Sequence, residues 1–336
     1  MRSFSEEDAV LKKIILPFII CITIPLLALS TLTANDNYAR IVVLADAHLP
    51  TKTKSVEHIK NKDKIITAKK GAVKDINGWN DVSRVVCAGD FVANYGSDEE
   101  ARFAADFFKK IKAPFSPITG NHDFFYVKNE KDDNRIAQGT PETREPKLER
   151  FKKLFGLPSL SYTIKENNVL LVFLSIDEIN GSYSVKLSKQ TQKWFTDTVE
   201  SNKNIPIIVF CHAPLDGTLR FKKAKDEKSA YIEPRKEIAD LLEKNPQVFM
   251  WISGHTHTSP EKAGFMADYN LFQNRVLDVH TPTMDDFTVY SNSLFIYRDR
   301  VEIRTFNHRT GRFETKFDRS VKIPDDVRGA KKKNAA

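Results

Sequence analysis

An α/β fold is predicted by two features of this sequence. Short β-branched apolar runs alternate, from Tyr38 onward, with stretches of helical spacing. Those runs repeatedly end in Asp, His or Asn beside Gly, and α/β proteins place their sites at the carboxyl ends of strands.

The chain opens with an apolar run at residues 14–29 behind Lys12 and Lys13. A basic flank before a short apolar stretch is the pattern of a secretory signal. Ala28-Leu29-Ser30 and Leu32-Thr33-Ala34 offer cleavage sites. Crossing a bilayer takes about 20 apolar residues, so a run extended to Leu32 also fits a retained anchor. Residues 1–34 are therefore expected to be a signal peptide or an N-terminal membrane anchor. Both readings place the remainder outside the cytoplasm, in the periplasm, cell envelope or medium, because the lysines stay inside.

Six apolar runs follow, at 41–45, 84–88, 115–118, 169–176, 205–211 and 248–252. They are short and bounded by Gly, Pro or polar residues, as buried strands are. Between them, Phe103, Phe107, Phe108 and Ile111 mark one face of a helix over 99–111. Trp194, Phe195 and Val199 mark a second helix over 187–199, and Ile238, Leu241 and Leu242 a third. Alternation at 287–290, 294–297 and 301–306 predicts antiparallel hairpins that close the sheet. Residues 128–147 and 216–234 are polar and read as long rim loops. The catalytic domain is expected to span 38–320, with a basic, disordered tail at 321–336.

Composition narrows the function classes. The chain carries 52 Lys and Arg against 44 Asp and Glu, a net charge of +8, which favours anionic partners. No recognition helix or RNA-binding motif is evident, so specific nucleic-acid binding is not expected. The three cysteines, Cys21, Cys87 and Cys211, do not form a disulfide framework. Cys87 and Cys211 sit in apolar runs and read as buried thiols.

The strand ends carry the chemistry. They read Asp46-Ala47-His48, Gly89-Asp90, Gly120-Asn121-His122-Asp123, Cys211-His212 and Gly254-His255-Thr256-His257. Extended spacing would put Asp46 with His48, and His255 with His257, on one face. Gly89, Gly120 and Gly254 precede ligands where the backbone is expected to turn sharply. Five of the eight histidines lie in these blocks. The others, His58, His280 and His308, read as surface or core.

In this order the blocks resemble the calcineurin-like metallophosphoesterase family, over residues 40–310. The resemblance implies a four-layer α/β/β/α sandwich with mixed sheets and a metal-dependent phosphoric ester hydrolase. It implies two metal ions, divalent or trivalent (Mn, Fe, Zn or Co). Asp46, His48 and His257 would bind one ion. Asn121, His212 and His255 would bind the other, and Asp90 would bridge them. His122 would stand beside the pair as the catalytic proton donor. A shared carboxylate holds two cations about 3.5–4 Å apart, a separation suited to in-line displacement at phosphorus.

One departure narrows the reading. Phosphoprotein phosphatases carry Gly-Asp-x-x-Asp-Arg-Gly, whereas this chain has Gly89-Asp90-Phe91-Val92-Ala93-Asn94-Tyr95-Gly96. Ala93 stands where an Asp would orient the histidine, and Asn94 is the nearest substitute. The pattern looks more like bacterial enzymes acting on small-molecule phosphodiesters and phosphomonoesters. The expected substrate is a phosphorylated small molecule or lipid head group. A Ser/Thr phosphoprotein phosphatase or a non-catalytic scaffold of the same fold is the alternative. Tyr126, Arg135, Arg144, Arg220, Lys222 and Lys223 are candidate rim contacts.

Overall fold

The computed structural model describes residues 38–52, 59–132, 135–221, 227 and 229–325. The expected N-terminal signal or anchor, His58, Lys222, Lys223 and the basic run after Arg328 lie outside the described residues. Among those described, no helix is long and apolar enough to cross a membrane.

In chain order the elements are β1 (Ala39–Leu44), α1 (Lys62–Gly78), β2 (Val82–Ala88), α2 (Asp98–Phe108), β3 (Phe115–Ile118), α3 (Asn121–Phe124), β4 (Tyr126–Lys128) and β5 (Ile136–Gln138). Then come α4 (Pro141–Phe155), β6 (Tyr162–Glu166), β7 (Val169–Leu174), α5 (Lys189–Ser201), β8 (Ile207–Cys211), α6 (Arg235–Lys244), β9 (Val248–Ser253), β10 (Leu271–Phe272) and β11 (Val276–His280). The chain closes with β12 (Tyr290–Ile296), β13 (Arg300–Asn307), β14 (Arg312–Phe313) and β15 (Arg319–Lys322).

Two mixed sheets result. One runs β14-β13-β12-β1-β2-β3, with β15 on β13, and the other runs β10-β11-β9-β8-β7-β6. The parallel stretches are β1-β2-β3, which ends at the sheet edge, and β7-β8-β9-β11, which is flanked on both sides. Strand period then sorts every side chain into a layer. Ile41 and Val43 of β1 face Leu171, Phe173, Ile208, Phe210 and Ile252 across the two sheets. Val42 and Leu44 face the other way, onto Ala72, Val73, Ile76, Phe107 and Phe108 of α1 and α2. Val172 and Leu174 of β7 pack outward onto Phe195, Val199, Ile238 and Leu242 of α5 and α6. Three apolar cores thus separate four layers, α/β/β/α. Burial on both faces explains why the strands read as continuous apolar runs rather than alternating ones.

Several elements depart from the expected pattern. The polar stretch 128–147 is no open loop: it holds β5 and the first turns of α4. Pro141 at the first position and left-handed Gly156 (φ 65°) after the last turn delimit that helix. Its buried stripe is Arg144, Leu148 and Phe151, and an arginine in a core position hides the helical period. α1 is hidden in the same way by buried Lys69. Residues 287–289 lie outside any strand, so the first tail run enters the sheet only at its last residue, Tyr290, which pairs with Asn307. The domain also runs past residue 320: β15 pairs with β13 to Lys322, and Ile323 is fully buried.

Phe173 and Phe210, neighbours on β7 and β8 of one sheet, stack at 5.1 Å in the core that faces the other sheet. Phe210→Ala is expected to cost about 3–5 kcal/mol of stability, read from urea unfolding. A loss below about 1 kcal/mol would contradict a close-packed inter-sheet core.

Candidate metal centre

The eight residues singled out in sequence converge where β1, β2, β3, β8 and β9 end. The two sheets contribute from opposite sides. Main-chain bonds stitch the loops together: Asp46 N donates to Gly89 O at 3.0 Å, His48 N to Asp90 O at 2.9 Å, and Gly254 N to His212 O at 2.9 Å.

The local backbone is not extended, contrary to the spacing argument. Asp46 (φ 52°), His48 (φ 41°), Asp90 (φ 55°), His255 (φ 64°) and His257 (φ 48°) are all left-handed. Non-glycine residues reach that region at a cost of about 1–3 kcal/mol each, and such strain gathers at functional sites. The turning role expected of the three glycines also holds only for Gly89, at φ 90°. Gly120 and Gly254 are needed for close approach. A Cβ on Gly120 would lie 2.2 Å from Asp90 N and 2.3 Å from Asp90 Oδ1, and one on Gly254 would lie 2.6 Å from Asp46 Oδ2.

Asp90 is the common member of two donor groups. Asp46, His48, Asp90 and His257 place one ligand atom each within 4.8 Å of one another, as do Asp90, His212 and His255. Asp90 Oδ2 is 3.6 Å from His48 Nε2, and Oδ1 is 3.4 Å from His212 Nε2. Asn121 Oδ1 joins the second group at 3.0 Å from His212 Nε2. His257 Nε2 lies 3.1 Å from Asp46 Oδ1 and 3.0 Å from His48 Nε2.

Hydrogen bonds aim the imidazoles. His48 Nδ1 donates to Val92 O at 3.1 Å and His212 Nδ1 to Ala88 O at 2.8 Å, which turns each Nε2 inward. His255 donates through Nε2 to Ser229 O at 2.9 Å, leaving Nδ1 for the centre. Such outer contacts fix the tautomer of metal-binding histidines.

Electrostatics suit cations. Burial, reinforced by nearby Lys52, holds His48 well below its ordinary range. Burial and the neighbouring His212 bring His255 down to about 4. Burial opposes charge on His212, but Asp90 overrides it and lifts this histidine to about 9. Asp90 stays well below the carboxylate range despite its burial, because His212 and His122 face it. Two neutral imidazoles and an ionised carboxylate therefore point lone pairs into one buried space. Nitrogen and oxygen donors of this kind fit borderline transition-metal ions.

Asp123, unassigned by the sequence reading, holds the floor of the site. Its carboxylate accepts from the main-chain N–H of Asp90 (3.1 Å), Phe91 (2.8 Å) and Gly120 (2.7 Å). Burial and the adjacent Asp90 push it up to about 7. Its place in the Gly-Asn-His-Asp block, at the third position of α3, was the available signal.

His122 lies in neither donor group. Its ring stands 4.9 Å from that of His48 and 5.0 Å from that of Tyr126. Nδ1 contacts the Asn94 main-chain carbonyl at 2.6 Å. Asn94 thus substitutes for the missing Asp through its backbone. Its side chain faces away and donates to Glu100 at 3.2 Å.

The rim candidates divide. Tyr126 borders the centre and accepts from Asn121 Nδ2 at 3.3 Å. Arg144 does not reach it: the guanidinium is buried 3.8 Å from the Phe125 ring and donates to the Ile179 carbonyl at 2.8 Å. Arg135 is exposed beside Asp132, and Arg220 is exposed over Tyr269. His280 is buried against Ser253 and the Thr218 carbonyl, and His308 contacts Ser291 and Asp75, so both are structural. Cys87 and Cys211 are buried free thiols. An open cleft of about 600 Å³ adjoins His257 and is lined by Lys52, Lys262, Glu261, Asp286 and Tyr290.

Gly120→Ala is expected to displace Asp90 and reduce metal content from about two equivalents per chain to less than one. Elemental analysis of the purified variant reads this directly. Retention of both equivalents would contradict the close packing of Gly120 on Asp90.

Comparison with known proteins agrees with this fold. The family model described as calcineurin-like phosphoesterase matches residues 39–259, more than half of the chain. The fold is similar to that of a dimetal phosphatase from Danio rerio, with a TM-score of 0.55 and 12% identity over 85% of this chain and 99% of that one. It is also similar to a purple acid phosphatase from yellow lupin (Lupinus luteus) seeds, with a TM-score of 0.56 and 12% identity over 87% of this chain. The chain spans 55% of the length of that lupin protein. A search of curated proteins finds no match. The chain belongs to the calcineurin-like phosphoesterase family and is a metal-dependent phosphoesterase.

Proposed function

We propose that this protein hydrolyses phosphodiester or phosphomonoester bonds of a small molecule or lipid head group, at a dinuclear centre held by Asp46, His48, His257, Asn121, His212 and His255 and bridged by Asp90. The observation that carries the reading is the position of Asp90, with one oxygen toward each donor group. When bound, the metal pair supplies positive charge that polarises the phosphoryl group and acidifies water near neutral pH.

The chain's own residues supply the rest. Asp90 and Asp46 bring negative charge to a buried space, which favours cations there over neutral solvent. The His48 and His212 rings are locked by their Nδ1 donors, so their Nε2 atoms need little reorganisation to serve as ligands. His122 is oriented by the Asn94 carbonyl, which accepts from Nδ1. In its imidazolium form His122 can hand a proton from Nε2 to the departing oxygen, a contribution of about 10²–10⁴-fold. Tyr126 borders this proton donor and fixes the Asn121 amide by accepting from Nδ2.

Substrate size follows from the cleft beside His257. A volume of about 600 Å³ falls within the range of small-molecule pockets. Lys52 and Lys262 offer cations to phosphate oxygens, while Glu261, Asp286 and Tyr290 offer partners to hydroxyl or amino groups. Main-chain orientation of His122 in place of a side-chain Asp supports a small-molecule enzyme over a phosphoprotein phosphatase. The apolar segment behind Lys12 and Lys13 supports an extracytoplasmic location, which cell fractionation would test.

Chromogenic phosphodiesters and phosphomonoesters with Mn²⁺ test the activity. Turnover is expected in the wild type, with kcat lowered about 10²–10⁴-fold in His122→Ala while metal content is retained. An unchanged kcat in that variant would remove His122 from the mechanism. Absence of turnover on either ester class with both metals bound would favour a non-catalytic role.

A further inference from the structure

Lys69 of α1 is a fully buried lysine remote in sequence from every site block. It occupies the core-facing stripe of the helix among Ile65, Ala72, Val73 and Ile76. Burying an ammonium is costly unless all its donors are used. Here they are: Nζ donates to Asp285 Oδ1 at 2.6 Å, Pro50 O at 3.0 Å and His48 O at 3.3 Å. An ammonium carries three N–H donors, so the set is complete.

Asp285 extends the contact. Its carboxylate also accepts from Thr51 Oγ1 at 2.6 Å and Lys52 N at 3.2 Å. The residues just before it grip the same loop higher up, with Thr283 Oγ1 donating to Asp46 O at 2.9 Å and Met284 N to Ala45 O at 3.0 Å. The carbonyls of residues 45, 46, 48 and 50 are thereby anchored from outside the loop. Between those anchors Asp46 and His48 hold left-handed φ angles of 52° and 41°. Such conformations persist only where surroundings over-determine them. Asp285 also lines the cleft beside His257.

We infer that Lys69 and Asp285 are positioning residues that clamp the β1 loop and so present Asp46 and His48 to the metal ion on their side of Asp90. This rests on the phosphoesterase reading for its activity readout, but not for its metal readout. Neither residue ligates metal in this account, and the Asp285 carboxylate on the cleft wall is engaged by Lys69, Thr51 and the Lys52 main chain. Their effect passes through the backbone of His48.

A stability role and a positioning role separate in one variant. Replacing a buried ion pair by apolar residues of similar volume is often neutral or stabilising. The double variant Lys69→Met/Asp285→Leu is therefore expected to fold and melt near the wild-type temperature. Its Mn²⁺ affinity at one site should fall about 10–100-fold, the size seen when outer contacts of a ligand are removed. The other site should bind as before, and kcat should fall with KM nearly unchanged. Wild-type affinity at both sites in the folded double variant would overturn the inference. Should the pair not fold, Asp285→Asn, which keeps the shape, is read the same way: weakened binding at one site supports the clamp, and wild-type binding overturns it. Wild-type protein that binds Mn²⁺ without turnover would count against the phosphoesterase reading alone, while the affinity comparison still decides the clamp.

Discussion

The Asp90 carboxylate faces imidazoles on two sides, His48 at 3.6 Å and His212 at 3.4 Å, inside a region closed to solvent. A single carboxylate can serve two groups only if both are delivered to within a few tenths of an ångström. That demand explains much of the architecture. His48 comes from the end of a strand in one sheet and His212 from the end of a strand in the other. The inter-sheet core of Phe173, Phe210 and their neighbours sets the distance between them. Asp90 itself is seated by Gly120, whose missing Cβ leaves room, and by Asp123, which gathers the N–H groups of its loop.

Charge in this cluster is set mutually, and a cation bound beside Asp90 would take the place of the His212 Nε2 proton. Burial alone would protonate Asp90 and strip the charge from His212. The two groups instead hold each other charged, while His48 and His255 are pushed to neutrality. Left-handed backbone at five of the donor positions adds strain, offset by bonds from outside the loops. Lys69 with Asp285, Thr283 with the Asp46 carbonyl, and Asp123 with the Asp90 loop are the clearest of these.

The sequence was informative where chemistry and burial coincide. Strand runs were legible because parallel strands buried on both faces are uniformly apolar, and the site was legible because five of the six runs ended in a donor. Elements with a charged residue in the core were not legible: α1 carries Lys69, α4 carries Arg144, and both break the apolar period. Arg144 read as a rim contact because sequence does not show that a guanidinium lies over the Phe125 ring. Loop conformation was equally hidden. Asp-x-His suggests extended spacing, yet long-range bonds impose a left-handed turn at both residues. Asn94 was the right residue for orienting His122, but the carbonyl does the work, and a carbonyl leaves no trace in residue identity.

Electron paramagnetic resonance of the Mn²⁺-loaded protein tests the shared carboxylate most directly. The account predicts a spin-coupled pair of ions in the wild type and loss of that coupling in Asp90→Asn. Two uncoupled mononuclear signals in the wild type, or coupling that survives the loss of the Asp90 carboxylate, would contradict it.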